Sequence, residues 1–205
     1  MSTAAASGNG AANAVTFISG TQATKLLWPD DSIPASFTVC SATRYAGAER
    51  GGILSCTGSP TQALTWVHGH DVSGDSDSKR GIAYYHTKYT TSALTTGVKD
   101  DWLVMCGTNA GAPQTVPGNM ILDQDEIGTE VGGEGGGRLN IGYDHPSDWA
   151  LHSLLIWDYA LGTVPALWHT SATLSQVLLT WFLWCDLGMR GTVFSGQGDW
   201  GRRYS

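Results

Sequence analysis

A chain of 205 residues is long enough to bury a full core without staples, and one domain is the expectation. Its formal net charge of -7 and isoelectric point near 5.1 exclude general nucleic-acid binding and electrostatic adsorption to an acidic membrane surface. Only 14% of the residues are charged, while 27 Gly and 9 Trp suit many short strands, Gly-rich turns and an aromatic interior.

Residues 1–13 (MSTAAASGNGAAN) lack the basic and apolar regions of a secretion signal and read as a small, polar, flexible tail. Strand signals then recur at short spacing. Residues 15–19 come first, then 25–28, closed by Pro29-Asp30-Asp31. The run 36–45 (SFTVCSATRY) alternates, with Phe37, Val39 and Ser41 on one face and Thr38, Cys40 and Ala42 on the other. Residues 51–57 follow a turn at Gly47-Ala48. If 37–45 and 50–57 form a hairpin there, Cys40 falls nearly opposite Cys56, and a cross-strand disulfide becomes one option. The other option is that Cys40, Cys56, Cys106 and Cys185 are buried small residues, since no CxxC or zinc-finger spacing joins them.

Further strands are expected at 64–70 and 81–89, separated by the polar loop 71–79, and then at 101–106, 120–122, 126–131 and 138–141. The run 149–159 is the strongest, with Trp149, Leu151, Leu155 and Trp157 expected on one face. No helical period precedes residue 160, so parallel βαβ units are excluded and a two-sheet antiparallel jelly-roll sandwich is expected. Beyond residue 161 the character changes. Leu174, Val177, Leu178 and Trp181 stand at i, i+3, i+4 and i+7 within the apolar segment 172–189. A short helix packed on the sandwich is the first reading. A partner-binding helix contacting through Trp181, Trp184 and Leu178 is the second. A membrane anchor is the third; the segment is near the lower length limit for a span, and Gln176 and Asp186 interrupt it. The final stretch, 191–205, reads as loop. The expected organisation is thus a tail at 1–13, a sandwich at 14–161 and a C-terminal tail at 162–205.

The segments PASFTVCSATRYAGAERGGIL, LTWVHGH, RGIAYYHTKYTT, DDWLVMCGTNA and SDWALHSLLIWDYAL together resemble a laminin-G-like (LamG) domain of the concanavalin A-like lectin and glucanase superfamily. The last two carry most of the resemblance. The pattern W-x-L-x-x-L-x-I-W-D-x-A-L is similar to the closing strands of such sandwiches, with the hairpin 120–131 just before them. The likeness spans about residues 14–161 and rests on packing residues. It implies an all-β lectin-like fold, a recognition role, a cell-surface or extracellular setting and a calcium ion at the rim.

A glycosidase needs two carboxylates facing each other across the scissile bond. The cluster Asp123, Asp125, Glu126 and Glu130 fits no such strand pattern and falls on an expected turn, so no catalytic residue is identified. His68 and His70 alternate on one strand and share a face, with Asp71 beside them; with His86 from the next strand they would make a metal set. Asp71, Asp75 and Asp77 offer carboxylates for calcium. For a sugar, Tyr84, Tyr85, Trp66 and Asn109 supply aromatic planes and an amide, with core packing the alternative for Trp66. The expected function is non-catalytic recognition of a glycan or protein partner, of carbohydrate-binding or adhesion type. An accessory scaffold subunit docking through the C-terminal tail is the alternative, and a glycoside hydrolase the third reading.

Overall fold

The computed structural model describes residues 1–9, 11–57, 66–72, 78–86, 88–91, 100–109, 120–122, 125–128, 133–143, 146–159 and 192–195. Among them are fourteen strands and no helix. In chain order these are β1 (Ser2–Gly8), β2 (Ala11–Gly20), β3 (Leu26–Leu27), β4 (Thr38–Tyr45), β5 (Leu54–Thr57), β6 (Trp66–Val72) and β7 (Ser78–Tyr85). Then come β8 (Lys88–Thr91), β9 (Leu103–Thr108), β10 (Met120–Leu122), β11 (Asp125–Gly128), β12 (Arg138–Ile141), β13 (Trp149–Trp157) and β14 (Thr192–Ser195). The larger sheet runs β1-β2-β13-β4-β9-β10-β11, with β14 also on β13; the smaller runs β3-β12-β5-β6-β7-β8. Every strand pairing is antiparallel.

The two sheets bury one shared core. The larger contributes Val39, Leu103, Met105, Trp149, Leu151, Leu154 and Ile156, and the smaller contributes Leu54, Cys56, Trp66, Ala83, Tyr85, Leu139 and Ile141. Alternation along each strand produces this, because successive side chains leave a strand on opposite faces. The expected strands therefore reappear with shifted ends. The turn at Pro29-Asp30-Asp31 is present too, with Ser32 N donating to Pro29 O. The run 81–89 is divided, because the chain reverses across His86 (φ 60) and Tyr85 pairs with Lys88.

Three expectations are corrected. First, residues 1–13 are not a loose tail. β1 and β2 form a hairpin in which Gly8 pairs with Ala11, and Asn9 is in the left-handed region (φ 52). Tertiary packing holds this weakly propensive run in strand form: Phe17 meets the Trp102 ring at 5.5 Å, and Arg44 stacks over both. The hairpin leans over the outer face of the larger sheet, so that Asn9 O, near its tip, accepts a hydrogen bond from Trp102 N beyond β13 and β4.

Second, β13 changes phase midway. Leu151 pairs with Thr43 and Ser153 with Ala42, leaving His152 as an extra residue in a bulge. Trp149 and Leu151 therefore share the inner face with Leu154 and Ile156. Leu155 and Trp157 lie on the outer face with Cys40 and Cys106. The bulge also divides the strand's far edge: β2 occupies it over Trp149–Leu151 and β14 over Ser153–Ile156. Part of the stretch read as terminal loop is thus a strand on the sandwich.

Third, the turn at Gly47-Ala48 does not close a hairpin. β4 belongs to the larger sheet and β5 to the smaller, so the chain changes layers there. Cys40 is instead opposite Cys106 on the neighbouring strand β9, and the two form a disulfide. Cys56 faces the core from β5, its thiol 3.5 Å from Thr57 O. Cys185 and the expected helix at 172–189 lie outside the described residues.

Candidate functional site

β6 places His68 and His70 on its inner face, and both rings point across the core at the larger sheet. His68 Nε2 lies 3.3 Å from Met105 O, and its Nδ1 lies 2.8 Å from the Tyr85 hydroxyl. A carbonyl only accepts, so Nε2 carries the proton and Nδ1 accepts from Tyr85. His70 Nδ1 is 3.2 Å from Thr43 Oγ1, and its ring meets Tyr45 edge-on at 4.6 Å. The Tyr45 hydroxyl donates to Gly51 O. Trp66 and Tyr85 stack at 5.2 Å, and Phe37 abuts both. A one-residue register shift between β6 and β7, with Gly81 (φ 80) as the extra residue, leaves Tyr85 paired with Trp66 beside His68.

Burial governs the titration of these groups. It pushes the His68 imidazole down to about 4, with the bond to Met105 O acting weakly the other way. It raises the Tyr85 hydroxyl well above the usual tyrosine range. The Tyr45 hydroxyl is raised by burial and then by Asp71, with Arg50 opposing. His152, donating from Nδ1 to Thr16 O, is also lowered by burial.

Unfolded, the His68 ring titrates near 6.5; folded, near 4. Between those values the unfolded chain holds a proton that the folded chain does not. Stability is therefore complete above about pH 6.5 and falls as pH drops toward 4, by about 3 kcal/mol for this residue. Urea unfolding across that window should show the loss. In His68→Gln the slope should flatten, and an unchanged slope would refute the assignment.

The other sequence candidates are dispersed. Asn109 acts as a clamp: its Oδ1 accepts from Phe37 N at 2.7 Å, and its Nδ2 donates to Ala35 O at 2.7 Å and Gly133 O at 3.4 Å. Trp66 and Tyr85 are buried in the core. Tyr84 is half-buried on the opposite face of β7. His86 does not approach the histidine pair, and its Nε2 lies 3.8 Å from Glu134 Oε2 at the strand end. Asp71 is half-buried on β6, opposite Lys79. Asp75, Asp77, Asp123, Glu130, Leu178, Trp181 and Trp184 lie outside the described residues. Among the described residues no three His, Cys, Asp or Glu side chains are close enough together to hold a metal ion. Of the carboxylates named for calcium, Asp71 alone is among the described residues.

One surface feature has no motif in the sequence. Tyr143 is 45% exposed and Leu27 43%. The Lys25 ammonium lies 4.6 Å from the Tyr143 ring centroid. β3 pairs with β12 through Leu27–Asn140 and Leu26–Ile141, which brings Lys25 and Leu27 alongside the end of β12. Gly142 (φ 75) turns the chain there, and a Cβ on it would lie 2.6 Å from Thr24 O, so the close approach needs glycine. The result is a tyrosine plane, a cation and an aliphatic side chain on one edge of the smaller sheet. The only sequence signal was Gly-Tyr just after a strand, which is common at turns.

Compared with protein-family models, curated proteins and solved structures, the chain matches none.

Proposed function

We propose that this chain is a non-catalytic recognition module on a concanavalin A-like, LamG-type jelly roll, and that it binds a glycan. The observation that carries this reading is the exposed Tyr143 plane with Lys25 and Leu27 beside it. Aromatic planes give sugars a surface for their C–H faces, and an ammonium donates to hydroxyls or to the carboxylate of an acidic sugar. The groups with most catalytic potential, His68 and Tyr85, are turned into the core and bonded to each other. That arrangement supports a structural role for them and leaves recognition to the surface. The sandwich topology and the resemblance in 14–161 support the fold assignment.

The test is a glycan array with the full chain, followed by calorimetry on Tyr143→Ala. The wild type should bind at least one glycan class. The variant should weaken that binding about tenfold or more, as loss of one stacking contact does, and should melt at the wild-type temperature because the ring is exposed. Absence of array binding, or equal affinity in the variant, would overturn the reading. A scaffold subunit docking through its C-terminal tail is the second reading. β14 weighs against it, because it places Thr192–Ser195 on β13 of the same chain.

A further inference from the structure

We propose that the outer edge of β1 is a self-association surface, on which a second copy of this chain pairs antiparallel to form a continuous sheet across a dimer. A strand at the end of a sheet presents unpaired backbone N–H and C=O groups to any extended partner, and proteins blunt such edges with charge, proline or short length. Four of the strands open on one side among the described residues are blunted in this way, one of them, β14, by its length of four residues. β3 has two residues and follows Lys25. β8 begins at Lys88, and β11 contains Asp125 and Glu126. β1 differs. It has seven residues, STAAASG, with no charge and no proline. Residues 1–6 are all exposed, and no strand lies on their outer side among the described residues.

A second copy is the occupant for two reasons. No Asp, Glu, Lys or Arg precedes Lys25, so two chains of net charge -7 can meet here without local repulsion. The side chains are also self-complementary. The regular run Ser2–Ala6 pairs completely with its own copy when Ala4 faces Ala4, and every side chain in that contact is Ser, Thr or Ala. The register irregularity of this hairpin lies between Ala6 and Gly8, outside that run.

Sedimentation of the full chain over a wide concentration range tests this. The wild type should show a monomer–dimer equilibrium. Ala4→Lys and Ala4→Glu each place like charges directly opposite one another and should raise the dissociation constant about fivefold or more. Mixing the two variants should restore the dimer, because opposite charges then face. Near-UV circular dichroism and melting should stay at wild-type values, since Ala4 is exposed. A wild type that stays monomeric, an association that proceeds beyond the dimer, a dimer both variants retain, or a loss that mixing does not restore would each overturn the proposal.

Discussion

Trp149→Ala is expected to cost about 3–5 kcal/mol, the range for truncating a large buried aromatic. The indole is fully buried where three strands meet, with Trp149 pairing to Gly20 of β2 on one side and Tyr45 of β4 on the other. Its Nε1 donates to Thr24 O. Truncation opens a cavity between the sheets and leaves that carbonyl without its donor. Urea unfolding should show a large fall in midpoint with an unchanged slope. Trp157 gives the contrast. It lies on the outer face with Leu155 and the disulfide, outside the shared core, so Trp157→Ala should cost less. Equal losses at the two positions would refute the phase change at His152.

Reducing the Cys40–Cys106 bond should remove about 4 kcal/mol, because it closes a loop of 66 residues in the unfolded chain. The comparison is a thermal melt with and without a thiol reductant. The wild type should melt lower when reduced, and the double substitution Cys40→Ala with Cys106→Ala should not respond. A wild type indifferent to reductant would show that the bond does not form in solution. The bond joins two strands already paired in register, so reduction should lower stability without changing the sheet order. The chain keeps its full stability only where thiols are oxidised.

Strands were legible in this sequence because alternation is local: Phe37 and Val39 sit inward and Cys40 outward, as their spacing requires. The phase of β13 beyond Leu151 was not. Leu154 and Leu155 are adjacent and both apolar, so either phase satisfies the pattern, and only the partner strand reveals the bulge. The cysteine pairing was illegible for a related reason. Sequence proximity favoured Cys56, but the order of strands in space sets Cys106 beside Cys40. In the N-terminal hairpin, Ala, Ser and Gly read as linker. Asn9-Gly10 was the one turn signal, since Asn-Gly favours two-residue hairpin loops. The site was less legible than the fold. Trp66, Tyr85 and Asn109 have the residue types of a sugar site, yet burial assigns them to packing. Tyr143, Lys25 and Leu27 are far apart in sequence and meet only through the β3–β12 pairing.

The central position of β13 shapes how the chain reaches its native state. Its partners β2 and β4 are made first, and each contacts it across more than a hundred residues of intervening chain. During synthesis β4 leaves the ribosome long before the strand that will flank it, exposing one edge and an apolar face. Such non-local pairing closes slowly, since loop entropy must be overcome before the contacts form. Folding is therefore expected on the millisecond-to-second scale of β-sandwiches, with the exposed sheet a target for chaperones until residue 157 has been made.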